Sequence, residues 1–434
     1  MDTRRPPLSC ALLRGKYVFL ASLVLFITTA SLMAAETASV AANAINQLGL
    51  ELQHKVGPAD ANLCLSPYSI QSAFAMVFAG ADGQTREEMA KTLHFPEQAG
   101  AIDDSMAALA KALERAKAKS VERAALSKQT GGPSEPITLD VANRLFGQKG
   151  YAFEKPFLSL LDSHYRAPLE ELDFRKNAEG ARQRINGWVE DQTKKRIRDL
   201  IPSGALNETE RLVLVNAVYL KSPWADEFNE HATAPAPFHI RGGETSDVPT
   251  MARSLHLGYK KEEGFSVVAL PYSGGGLQFL IILPDKVDGL GAVEAKLSAT
   301  TLAQCAKMES QSIILHLPKF KIAGTTLSLR KSLEALGMKT AFDIPQGSAD
   351  FGKIAPKRVD DYLFISDAFH KTFIAVDEKG TEAAAATAIA MAATSAMVRT
   401  KPPLEIHVDH PFLYAVQEVS SGACLFLGRV TDPR

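Results

Sequence analysis

From Ala383 to Val398 the chain runs for sixteen residues without a charge, a proline or a glycine, and nine of them are alanine. Alanine is the best helix former, so local propensity predicts a helix. The run is too short to cross a bilayer comfortably. Read with a period of two, Thr381, Ala383, Ala385, Thr387 and Ile389 share one face. Glu382, Ala384, Ala386 and Ala388 share the other, and Glu382 is placed on the face able to stay in water. A strip with small side chains on both faces fits a narrow slot between two existing strands. Helix and inserted strand are therefore the two readings this run allows.

The 434 residues are 46% hydrophobic, enough for a large buried core. Length alone permits two domains or one large one. Basic and acidic side chains number 48 and 49, without the basic excess of a general nucleic-acid binder. Arg4, Arg5, Arg14 and Lys16 precede an apolar run from Tyr17 to Ile27, followed by small residues to Ala35. That is the layout of a secretory signal peptide over residues 1–35, cut between Ala30 and Ala35, and it predicts a secreted (in a bacterium, periplasmic) protein. The alternative is an uncleaved anchor over Tyr17 to Ala35. Beyond it remain Cys64, Cys305 and Cys424, an odd and sparse set that predicts packed thiols rather than a disulfide framework. Their spacing is not that of metal ligands.

Apolar residues at helical spacing predict helices over Ser39–Val56, Ser69–Phe78, Gln84–Leu93, Ile102–Ala118, Pro156–His164 and Ala178–Thr193. Apolar and β-branched runs predict strands over Ile137–Leu145, Arg211–Leu220, Phe265–Pro271, Gln278–Leu283, Ser312–Phe320, Phe369–Val376, Leu404–Val408, Phe412–Glu418 and Cys424–Val430. Gly274-Gly275-Gly276 reads as the turn of a hairpin. Helices early and strands late indicate an α+β fold. Ser120 to Pro136, with its Gly-Gly-Pro, reads as a surface insertion. Lys111, Arg115, Lys117, Lys119, Arg123 and Lys128 make the 111–128 region basic, although Glu114 and Glu122 interrupt it and suit a solvated helix face.

Enzymatic chemistry finds little purchase. Ser328-Leu-Arg-Lys331 has the S-x-x-K form of a penicillin-binding hydrolase, but its companions S-D-N and K-T-G are imperfect at Ser366-Asp-Ala368 and Lys371-Thr-Phe373. G-x-S-x-G, H-E-x-x-H and paired-histidine zinc spacing are absent, so no metal or cofactor is expected. Asn207-Glu-Thr209 is an N-glycosylation sequon.

Five further segments, in this order, give the alanine run its context. They are Asn62-Leu-Cys-Leu-Ser-Pro-Tyr-Ser-Ile70, Leu214-Val-Asn216 with Leu220-Lys-Ser-Pro-Trp224, Leu317-Pro-Lys-Phe320, Ile365-Ser-Asp-Ala-Phe-His370 and Val408-Asp-His-Pro-Phe-Leu413. With the run itself they resemble serpins, the protease-inhibitor family with a metastable fold, over roughly residues 40 to 434. The resemblance implies one serpin domain: N-terminal helices packed on a large central mixed β-sheet, further sheets, and an exposed reactive loop spanning residues 378–403.

In such a protein a target protease attacks the loop as substrate and forms an acyl-enzyme. The freed loop then enters the large sheet as a new central strand, driven by strain held behind a kinetic barrier. The resemblance makes Gly380, Thr381, Glu382, Ala383, Ala384, Ala385 and Ala386 the hinge, and threonine with four alanines is the inhibitory pattern. Glu378, Lys319 and Trp224 would form the breach where the strands first part. Ser66, Ser69 and His370, residues that could suggest a catalytic triad, would instead form with Asn216 a buried hydrogen-bond cluster, the shutter. Counting from Gly380 places the reactive bond between Thr394 and Ser395, with Met391, Ala393 and Met397 as other candidates for the residue before the cut. Small or medium apolar residues there suit an elastase-like or subtilisin-like target, or a chymotrypsin-like one through methionine. The expected state is a monomer without catalysis of its own, whose partner is the protease. The alternatives are a papain-like cysteine protease target, a polyanion partner at residues 111–128, or a carrier or chaperone that inhibits nothing.

Overall fold

The computed structural model describes residues 37–434 apart from 97, 99, 131–133, 241–242 and 383–401. Helix α1 covers residues 37–55. It is followed by α2 (Pro67–Phe78), α3 (Gly83–Thr92), α4 (Ala101–Thr130), α5 (Lys155–Ser163) and α6 (Phe174–Gln192). Shorter helices α7 (Leu290–Lys296), α8 (Ala299–Gln304) and α9 (Arg330–Leu336) come later. The strands of the first half are β1 (Leu63–Leu65), β2 (Thr138–Gln148), β3 (Glu170–Leu172), β4 (Leu212–Pro223) and β5 (Ala234–His239). The long β6 (Thr245–Glu262) leads into β7 (Phe265–Pro271), β8 (Leu277–Pro284), β9 (Ser310–Pro318), β10 (Phe320–Ala323) and β11 (Leu327–Ser328). The chain closes with β12 (Ala368–Asp377), β13 (Gly380–Thr381), β14 (Leu404–His407), β15 (Phe412–Glu418) and β16 (Cys424–Val430).

These strands make two sheets among the described residues. Nine belong to one sheet, ordered β1-β16-β15-β8-β7-β6-β9-β14 with β5 on β6. Seven belong to the other, ordered β10-β12-β13-β4-β2-β3 with β11 on β12. The α+β expectation holds. Strand β4 explains the layering: Leu214, Val218 and Leu220 join the main core, which includes Ile70, Phe74 and Val77 of α2. Val213, Val215 and Ala217 pack with Phe174, Ile185 and Val189 of α6. A strand covered on both faces has to be apolar almost throughout, as Leu-Val-Leu-Val-Asn-Ala-Val-Tyr-Leu is. Asn216 lies on the α2 side of that alternation and is the polar exception.

Several sequence expectations need correction. The stretch read as a surface insertion from Ser120 to Pro136 is helical as far as Thr130, as part of α4. Ala116, Ser120, Ala124 and Ser127 are buried at helical spacing, so the inner stripe simply continues in small residues. The predicted strand Ser312–Phe320 is two strands. Pro318 ends β9 in one sheet and Phe320 begins β10 in the other, which leaves Lys319 at the crossover. Strand β6 was missed because its residues are largely polar and include Pro249. The Gly274–Gly276 hairpin does join β7 to β8. Gly276 has a second reason to lack a side chain, since a Cβ there would lie 2.4 Å from Ala116 Cβ on α4.

Candidate functional site

The seven-stranded sheet has a seam between β12 and β4. From Ala368↔Leu214 to Thr372↔Val218 the two strands pair directly, in parallel. Above that level they separate, and Gly380–Thr381 fills the gap. Thr381 is registered with Ser222 on β4 and with Val376 on β12, both antiparallel. The chain reaches this place by a two-residue reversal at Glu378 and Lys379, where Asp377 Oδ1 accepts from the backbone N–H groups of Lys379 (2.9 Å) and Gly380 (3.2 Å). Gly380 has φ +155° and passes so close to β4 that a Cβ would lie 2.2 Å from Ser222 O. Only glycine admits that approach. Thr381 is 1% exposed, and its hydroxyl bonds the Tyr272 hydroxyl.

Around the reversal the side chains form a compact lock. Glu378 is buried and lies 2.8 Å from Lys319 Nζ, with the Thr233 hydroxyl donating to its other oxygen at 2.7 Å. Burial pushes the Glu378 carboxyl up, but hydrogen bonds from Lys319 and Thr233 outweigh it and hold it below the usual range. Trp224 follows directly on β4. It is 1% exposed, donates from Nε1 to Asp377 O at 2.9 Å, and stacks on Tyr272 with centroids 4.7 Å apart. Lys319 reaches Glu378 because the crossover between the two sheets puts it there.

Glu382 corrects the sequence reading. It is 8% exposed rather than solvated, has φ +47°, and pairs with Arg196. Burial raises its carboxyl above the usual range against the attraction of Arg196. The left-handed backbone turns this residue off the line that a simple period of two projects, which is why the alternation misplaced it.

Lower on the seam, His370 and Asn216 are register partners across β12 and β4. His370 Nδ1 and Asn216 Oδ1 are 2.5 Å apart, and the Ser66 backbone N–H donates to Nε2 at 3.1 Å. Asn216 Nδ2 donates to Ser69 Oγ (2.6 Å) and Asn143 Oδ1 (2.8 Å), which leaves Oδ1 as the acceptor toward the histidine. The proton therefore sits on Nδ1 of a neutral ring. Complete burial pushes the His370 pKa down to about 3. Ser66 Oγ donates to Leu425 O at 2.6 Å and not to His370, and Ser66, Ser69 and His370 are fully buried. A nucleophile needs its base within reach and a substrate needs access; this cluster has neither. It ties α2 to the seam.

The predicted hinge residues Ala383, Ala384, Ala385 and Ala386 and the predicted bond Thr394–Ser395 lie outside the described residues, as does the predicted signal segment. Sequence reasoning missed Tyr272, Thr233 and Asn143. Asn143 carried a usable signal, a polar residue inside an apolar strand that pairs in register with Asn216. Tyr272 and Thr233 carried none, because chain positions distant from Thr381 and Glu378 reveal nothing of contact. Cys64, Cys305 and Cys424 are free and buried. Among the described residues no helix is long and apolar enough to cross a membrane.

The two-sheet α+β frame, with a strand wedge at the head of a partly closed seam, has close relatives among solved structures. Uncleaved ovalbumin matches with a TM-score of 0.73 at 25% identity, covering 90% of this chain and 99% of that one. Serpin48 of the insect Tenebrio molitor matches with a TM-score of 0.72 at 30% identity, covering 92% and 98%. The family model Serpin (serine protease inhibitor) matches residues 43–433, and the chain belongs to the serpin family. Leukocyte elastase inhibitor of Bos taurus is 36% identical over 381 residues, 86% of this chain and 93% of that protein. An uncharacterized serpin-like protein of Thermococcus kodakarensis is 35% identical over 393 residues, 90% of this chain and 85% of that one.

Proposed function

We propose that the chain is a secreted suicide-substrate inhibitor of a serine endopeptidase with a small or medium apolar specificity pocket, elastase-like or subtilisin-like. The protease serine oxygen attacks the Thr394 carbonyl carbon, the Thr394–Ser395 peptide bond breaks, and Ser395 leaves with a new amino terminus. Residues 382–394 then follow Thr381 into the seam and carry the ester-linked protease with them. The observation that carries this reading is the seam itself. Gly380–Thr381 already sits between β4 and β12, and beyond Glu382 the chain continues as the uncharged alanine run. Full insertion has to part the five β12–β4 register pairs and the His370–Asn216 bond, and apart from Glu382, Ile389 and Met391 it brings in only alanine and threonine side chains in exchange. Glu378 with Lys319 and Trp224 acts as the latch above, and Ser66, Ser69, Asn216 and His370 as the shutter below. The elastase named in the mammalian relative agrees with the pocket class.

The test incubates the mature protein with elastase, subtilisin, chymotrypsin and papain, followed by SDS gels and mass spectrometry of the released C-terminal peptide. The expected result is an SDS-stable complex and a peptide beginning at Ser395. Cleavage without a complex would refute inhibition and leave a substrate. A complex with papain alone would move the target class to cysteine proteases.

A further inference from the structure

We propose that His316, Glu405 and His407 form a surface site for a divalent transition ion, zinc by its ligand chemistry, which staples β14 to β9. The two strands run parallel, with His407 registered on His316 and Glu405 on Ile314. Ile313, Leu315, Leu317 and Ile406 point into the core, so the alternating residues His316, Glu405 and His407 share the outer face. The three ligand atoms all lie within 4.8 Å of one another. Glu405 Oε1 is 3.1 Å from His316 Nε2 and 3.2 Å from His407 Nε2.

Those separations are informative. A tetrahedral ion with bonds of about 2.0–2.1 Å holds its ligand atoms about 3.3–3.4 Å apart. The two measured edges fall within a few tenths of an ångström of that. The imidazoles stack with centroids 4.2 Å apart and planes 11° apart, so both Nε2 atoms present on one side. Two imidazoles and a carboxylate suit zinc, and the fourth position opens to water because the side chains are 27%, 55% and 53% exposed. Chain spacing hides the site, since the ligands come from two strands far apart in sequence.

The place gives the ion a consequence. Strand β14 has four residues, pairs only with β9 among the described strands, and is the first strand after residues 383–401. Two ligands on β14 and one on β9 would add a link across the four register pairs that hold this strand.

The test uses the full chain titrated with zinc chloride by calorimetry, with cobalt(II) as the spectroscopic probe and amide hydrogen exchange read at residues 404–407. The expectation is a tetrahedral cobalt spectrum, zinc binding that His316→Ala or His407→Ala weakens at least about tenfold, and slower exchange at 404–407 when zinc is bound. Glu405→Gln keeps the side chain's shape and is expected to weaken binding as well. His256→Ala, at an exposed histidine of β6 outside the cluster, is expected to change nothing. Equal affinity in the wild type and the two alanine variants, or no binding at micromolar zinc, would overturn the site. Binding without any change in exchange at 404–407 would overturn the staple.

Discussion

Acid is expected to weaken the seam through His370, and the size of the effect follows from the geometry. The ring is fully buried and neutral, with a folded pKa near 3 against an ordinary value of 6.5. Below the ordinary value the unfolded chain takes up a proton that the folded chain refuses. Stability supplied by the neutral ring is thus complete above pH 6.5 and is lost progressively as pH falls toward 3. The slope in that window is about 1.4 kcal/mol per pH unit, so at about pH 5 the loss is roughly 2 kcal/mol. His370→Gln isolates this term. Its amide can still donate toward Asn216 and accept from the Ser66 N–H, but it does not titrate. The assay is the rate of unfolding in fixed urea, because the metastable fold proposed above would have no simple equilibrium midpoint. Between neutral pH and about pH 5, the wild-type rate should rise relative to His370→Gln by up to roughly 30-fold, the factor equivalent to 2 kcal/mol. Carboxylates that titrate in both proteins cancel in that ratio. Parallel pH profiles for the two proteins would refute the reasoning.

Two further perturbations probe the head of the seam. Gly380→Ala places a Cβ 2.2 Å from Ser222 O, so β13 should leave its slot, at a cost of about 1–3 kcal/mol if it stays; unchanged hydrogen-exchange protection at residues 222 and 381 would count against this. Glu378→Lys sets a second cation beside Lys319 and removes charged hydrogen bonds contributing about 1–3 kcal/mol. Polymers should then form faster on warming, and an unchanged rate by size-exclusion chromatography would sink the latch.

What the sequence alone determined was local. Strands Phe265–Pro271, Phe412–Glu418 and Cys424–Val430 were legible to the residue, and α3 to within one at each end, because the pattern of apolar and turn residues is itself the cause of those elements. The motifs of the family were equally legible. Tertiary structure alone decided how these pieces meet. It turned Glu382 inward to Arg196, carried α4 on to Thr130 against small buried residues, and split the predicted strand at Pro318 so that Lys319 faces Glu378. It likewise brought Tyr272 to Thr381 and His316 to His407. Periodicity records which face of an element is buried. It carries no information about which other element covers that face, and both the seam and the histidine cluster are made of such meetings.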